Sequence, residues 1–136
     1  MELEQQLASV PLLAGLDARI RRRLAETGKR RTYDADEEIV REGSTGTALY
    51  IVLSGKGRVV RGGEALGEVG AGDFFGELAL IEEHPRSASV IAANETECLL
   101  FPAWEFTALL EEHPEIAVPI MRALIARLHR REHHGA

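Results

Sequence analysis

Between residues 43 and 76 glycine occurs ten times, and the apolar runs between these glycines are too short for helices of ordinary length. That punctuation constrains the fold more than any other feature of the chain. Residues 48–53, Ala-Leu-Tyr-Ile-Val-Leu, combine aliphatic, aromatic and β-branched side chains, the profile of a core strand. Residues 38–41, 58–61, 64–67, 87–92 and 98–101 are further short strand candidates. Gly62-Gly63 separates two of them and has the form of a two-residue hairpin turn. Phe74-Phe75 is an aromatic strand bracketed by Gly72 and Gly76. Many short strands with glycine turns predict an antiparallel β-barrel or jelly roll.

Helical spacing frames this region on both sides. Leu3, Leu7, Val10 and Leu13 recur at helical intervals, interrupted by Pro11 and Gly15. Asp17 is placed to cap a second helix whose apolar face carries Ile20 and Leu24, and Gly28 to end it. Arg19, Arg21, Arg22 and Arg23 fall on or beside the opposite face, as on a solvated helix. Towards the other end, Trp104, Phe106, Leu109 and Leu110 form one apolar face, and Pro114 suits the first turn of a last helix. Ile120, Met121, Leu124, Ile125 and Leu128 make an apolar stripe, with a kink or restart expected at Pro119. The expected fold class is α+β, mainly β: a cupin-like antiparallel barrel with helices at both ends. It is organised as one domain over 1–136, with N-terminal helices in 1–28, the barrel in 29–102 and C-terminal helices in 103–132.

Charge narrows the classes of partner. The 136 residues carry a net charge of −6, which disfavours nucleic acid and anionic membrane surfaces as partners. The acidic, polar start Met1-Glu2-Leu3-Glu4 lacks a signal-peptide pattern, and no apolar run approaches a membrane span, so a cytoplasmic location is expected. The single cysteine, Cys98, excludes an internal disulfide, and its apolar neighbours mark it as a buried hydrophobe. The histidine and carboxylate cluster of a metal-binding barrel is missing, so no metal or other cofactor is expected. Without a supported nucleophile–base pair, the chain does not read as an enzyme.

The chemistry concentrates in residues 72–90. Gly76 permits close backbone approach. Glu77-Leu78-Ala79-Leu80 has the composition of one helical turn, whose unpaired N–H groups around Leu78 and Ala79 favour an anion. Pro85 closes a tight loop, and Arg86, opening the next strand, adds a planar fork of donors and a fixed charge. A cyclic phosphodiester carries one negative charge, which one arginine neutralises. The Glu77 carboxylate suits a sugar hydroxyl.

As a unit, Phe75-Gly76-Glu77-Leu78-Ala79-Leu80 followed by Pro85-Arg86-Ser87-Ala88-Ser89-Val90 resembles the phosphate-binding cassette of the cyclic-nucleotide-binding family. Glu42-Gly43, the run from Leu49 to Gly55, Trp104-Glu105-Phe106 and His113-Pro114 resemble the surrounding parts of that family. The resemblance implies a short phosphate-binding helix in the cassette, Glu77 on the ribose 2′-OH and Arg86 on the exocyclic phosphate oxygens. Backbone groups of Gly76, Leu78 and Ala79 line the same site. Ser87 is placed to touch the phosphate or a guanine edge, and Val59 and Leu66 to wall the base or pack in the core. The implied protein is a non-catalytic sensor of cAMP, favoured over cGMP. Its last helix acts as a lid or pairs with a second copy, and an effector protein or domain takes up the signal in trans. The family's transcription factors continue into a helix-turn-helix domain; this sequence stops at Ala136, so DNA reading is not expected. The competing reading is an interaction module of the same fold that works without a nucleotide.

Overall fold

The structure, a computed structural model, describes residues 3–46, 48–76 and 84–133. They fall into two compact units: Met1–Glu26 with Ala108–Ala136, and Thr27–Thr107.

The second unit is the β region. Its strands are β1 (Lys29–Tyr33), β2 (Glu38–Val40), β3 (Thr45–Gly46), β4 (Ala48–Ser54), β5 (Lys56–Arg61), β6 (Glu64–Gly70), β7 (Phe74–Phe75), β8 (His84–Pro85), β9 (Ser89–Ala92) and β10 (Thr96–Pro102). All pairings are antiparallel. One sheet has the order β1-β10-β4-β7, a second β2-β9-β5-β6, and β3 pairs with β8 as a small ribbon. Two four-stranded antiparallel sheets enclosing one core give the expected jelly-roll architecture.

Alternation explains the core between the sheets. Tyr33, Val52, Phe75 and Cys98 come from the first sheet; Ile39, Val69, Val90 and Ala92 come from the second. Burial pushes the Cys98 thiol up to about 12 and the Tyr33 phenol also to about 12. The opposite parity of the first sheet is buried as well, at Leu49, Ile51, Leu99 and Phe101. Burial on both faces is why residues 48–53 are apolar throughout rather than alternating. Gly28 belongs to this packing. A Cβ there would lie 2.8 Å from Leu99 and Phe101 side-chain atoms, so the glycine is needed for close approach besides following the helix end. The Gly62-Gly63 turn is a hairpin, Arg61 pairing with Glu64 across φ values of 58° and 81° that only glycine adopts cheaply.

Strands 29–33, 45–46 and 84–85 went unread in the sequence. In β1 four of the five residues are exposed, so the strand shows no alternation. The other two are two-residue pairings set by tertiary contact alone. The strand expected from residue 87 begins at Ser89.

In the other unit, α1 (Leu3–Ala8) runs into turns that bury Val10, Leu12, Leu13 and Leu16. Asp17 caps α2 (Ala18–Thr27): its carboxylate accepts the Arg19 N–H at 2.8 Å. Arg21 pairs with Glu4 at 3.2 Å, and Arg23 with Glu112 at 2.6 Å. The chain's last helices are α3 (Ala103–Glu112) and α4 (Ala117–His133), joined through a 3₁₀ turn, Pro114–Ile116. Of the two expectations for Pro119, the restart is found. Residue 119 sits in the first turn of α4, where a missing N–H costs little.

Two apolar faces differ from expectation. Phe106 and Leu109 are buried, but Trp104 is 71% exposed. A residue two positions from Phe106 on a helix points well away from it. In α4, Ile120 is buried, whereas Val118, Met121 and Ile125 are exposed; spaced by three and four residues, they form a second apolar line. The side chain of Leu128 lies outside the described residues.

Candidate functional site

Arg86 follows β8 directly, and its backbone continues the β3–β8 ribbon. Its N–H donates to the Ser44 carbonyl at 2.8 Å, and its carbonyl accepts the Gly43 N–H at 2.8 Å. Both ends of the peptide are therefore fixed, which sets the direction of the side chain.

The guanidinium lies half-buried in a cradle of backbone and aromatic surface. Nη2 donates to the Ala48 carbonyl at 3.0 Å. The Tyr50 ring lies 5.8 Å from the guanidinium carbon, and Tyr50 stacks on Phe75 at 4.8 Å with 8° between the planes. Burial raises the Tyr50 phenol's pKa, and the Arg86 charge opposes that rise. Two glycines close the cradle. A Cβ on Gly46 would overlap the guanidinium, and one on Gly76 would lie 2.6 Å from both Nη1 and the Ala48 carbonyl oxygen. Gly76 also has φ of 84°, so glycine is required there twice over.

Among the described residues no carboxylate lies within ion-pair distance of Arg86. A guanidinium has five N–H donors. Chemically, the cradle offers an anion a fixed positive charge whose geometry the backbone sets.

The other residues singled out in the sequence are distributed around this centre. Gly76 is part of the cradle. Ser87 is exposed, and its carbonyl accepts Arg61 Nε at 2.8 Å. Val59, half-buried, pairs with Val90 on one side and Gly67 on the other, and packs against the inter-sheet core. Leu66 is 50% exposed. The register passes from Val59 opposite Gly67 to Val60 opposite Ala65, which leaves Leu66 as the extra residue of a β-bulge. Glu77, Leu78 and Ala79, with the short helix expected there, lie outside the described residues.

Sequence reasoning missed Gly46, the Ala48 carbonyl and Tyr50. Gly46 is one glycine among many until β3 is seen to pair with β8. Tyr50 was absorbed in an apolar run, although it shares the parity of Val52 on the face towards the core. Among the described residues no group of three or more His, Cys, Asp or Glu is placed to hold a metal. No helix among them is long and apolar enough to cross a membrane.

Fold and cradle together define an antiparallel β domain that holds one arginine in a cradle of backbone and aromatic surface. The sequence model of the family described as "Cyclic nucleotide-binding domain" matches residues 30–113. The chain is 35% identical to a cyclic nucleotide-gated potassium channel of Rhizobium etli, over 90% of this chain and 34% of the channel. It is 38% identical to the cyclic AMP receptor protein of Thermus thermophilus, over 74% of this chain and 49% of that protein. The regulatory domain of Toxoplasma gondii PKA, solved with cAMP, superposes with a TM-score of 0.72 at 33% identity, covering 79% of this chain and 44% of that one. This chain belongs to the cyclic nucleotide-binding domain family. It spans a third to a half of the length of the first two relatives.

Proposed function

We propose that this chain is a non-catalytic sensor that binds a 3′,5′-cyclic purine nucleotide, cAMP in preference to cGMP. In this reading Arg86 neutralises the cyclic phosphate, and backbone groups of Gly76, Leu78 and Ala79 complete the anion site. Glu77 accepts the ribose 2′-OH, Ser87 lies at the phosphate or the base edge, and Val59 and Leu66 flank the base. The observation that carries it is the half-buried Arg86 guanidinium, held by the Ala48 carbonyl, flanked by the Tyr50 ring and closed in by Gly46 and Gly76. A cytoplasmic location belongs to the same proposal.

Calorimetry with cAMP, cGMP and 2′-deoxy-cAMP tests it. We expect one site, with micromolar binding corresponding to about −8 kcal/mol, and weaker uptake of the deoxy ligand. Neither heat nor thermal stabilisation at millimolar cAMP and cGMP would refute it.

The line Val118, Met121 and Ile125 on α4 favours a further element, and also the competing reading. As a relay, α4 closes as a lid or pairs with a second copy when nucleotide binds, and a separate effector reads the change. As a nucleotide-independent module, the chain would use the same surface without a ligand. Hydrogen exchange across residues 114–131, with and without cAMP, separates these: protection that changes with ligand supports the relay, and unchanged protection removes it.

A further inference from the structure

The Arg86 segment is fastened to a second part of the barrel by two charged side chains that the cassette does not contain. Glu42 lies in the loop after β2, beside the residues that clamp the Arg86 backbone. Its carboxylate accepts the Gly62 N–H at 2.9 Å, at the tip of the β5–β6 hairpin. Its own N–H donates to Ser89 Oγ at 2.8 Å, on the strand that follows Arg86. Arg61, the last residue of β5, reaches the other way and donates from Nε to the Ser87 carbonyl at 2.8 Å. Gly43 and Ser44 hold the Arg86 peptide itself.

Both charged residues are exposed, and among the described residues neither takes part in an ion pair. On an open surface a carboxylate and a guanidinium gain little from one another. Here each is used instead on a backbone group of a different segment, so that hairpin tip, loop 41–44 and residues 86–89 close into one hydrogen-bonded ring. The hairpin is the element that carries Val59 and Leu66. The tight glycine turn brings Arg61 and Gly62 to its tip side by side.

We propose that Glu42 and Arg61 are positioning residues that lock the Arg86 segment to the β5–β6 hairpin, so that the wall beside the base and the charge on the phosphate hold one spacing. This rests on the nucleotide reading above for its ligand, but the lock itself is a property of the free protein. It predicts that affinity depends on two side chains that touch no nucleotide, and only through Arg86.

Two measurements test it. The first is amide hydrogen exchange of ligand-free protein. Glu42→Ala and Arg61→Ala should speed exchange at the Arg86 N–H about tenfold, while Val52 in the core keeps its protection. Glu42→Gln, which retains the acceptor oxygen, should stay near wild type. The second is a double-mutant cycle by calorimetry with cAMP. Arg61→Ala should weaken binding about tenfold in the wild-type background but less than about twofold on Arg86→Lys. Unchanged exchange at Arg86, or losses that add independently of Arg86, overturns the lock. If wild-type protein takes up neither cAMP nor cGMP, the nucleotide reading fails, and the exchange result alone decides whether the ring holds Arg86.

Discussion

Gly46→Ala is expected to damage binding without damaging the fold. The backbone at Gly46 lies in a strand and its φ is not positive, so alanine is conformationally acceptable there. The difficulty is the Arg86 guanidinium, which the new methyl would overlap. Ordinary carbon contacts need about 3.5 Å, so the guanidinium must retreat by about 1 Å or more. It does so at the far end of a flexible side chain, and the main loss to the fold is the Nη2 hydrogen bond to the Ala48 carbonyl. That loss is about 1 kcal/mol, and the lower entropy of the unfolded chain on replacing glycine offsets about half of it or more. Thermal melting of the free protein should therefore move by only a few degrees. For the ligand the shift is large, because a displaced guanidinium gives up its charge-assisted hydrogen bonds to the phosphate, about 1.5–3 kcal/mol, or on the order of tenfold to a hundredfold in affinity. Calorimetry with cAMP, run beside the melt, reads both. Affinity within about threefold of wild type would refute the cradle argument. A fall in melting temperature of about ten degrees or more, equivalent to about 2–3 kcal/mol, would show that the damage was to folding.

Arg86→Ala should remove most cAMP binding, a loss on the order of 2–5 kcal/mol, while circular dichroism keeps the β signal; wild-type affinity would remove Arg86 from the site. Glu77→Ala should cost less and narrow the difference between cAMP and 2′-deoxy-cAMP in competition. Gly63→Val, with φ of 81° at the hairpin turn, should destabilise by about 1–3 kcal/mol in urea titration. Alkaline pH gives a further check. Cys98 and Tyr33 keep their protons to about pH 12 in the folded chain, whereas in the unfolded chain they lose them near their ordinary values of 9.0 and 10.0. The unfolded state then binds fewer protons, so the contribution of these two groups should be level below pH 9 and fall from there towards pH 12. In Cys98→Ala the onset should move up towards pH 10, the ordinary tyrosine value; an unmoved onset in the urea midpoints would contradict this.

The legible parts of the sequence were those in which one local signal decides the structure. Asp17 before an apolar period gave a helix start, Gly62-Gly63 a hairpin, and the unbroken run 48–53 a core strand. Arg86 stood out because the residues on both sides of it resemble a family cassette. What remained hidden depends on pairing between distant segments. The β3–β8 ribbon is two residues long on each side and has no periodicity to read. Gly46 acquires its meaning only when that ribbon places it over a guanidinium forty residues away. Trp104 misled because it is apolar and near Phe106 in sequence, while helical geometry turns it to solvent. The α4 stripe resolved into two lines, since five apolar residues in nine positions cover more of a helix than one neighbour can bury.

The two large sheets have four outermost strands among the described residues, and each is poorly suited to accept a fifth strand from another molecule. β1 presents Lys29, Arg30, Arg31 and Thr32 to solvent, so a second copy approaching along it meets like charge. At the far side of that sheet, β7 is only two residues long. In the other sheet, β2 is three residues long with an irregular register, and β6 is interrupted by the Leu66 bulge. Polymerisation by strand addition, the standing hazard of open β structure, is obstructed at every one of these borders. The bulge that leaves Leu66 exposed thus also breaks the run of backbone groups that an incoming strand would need along β6.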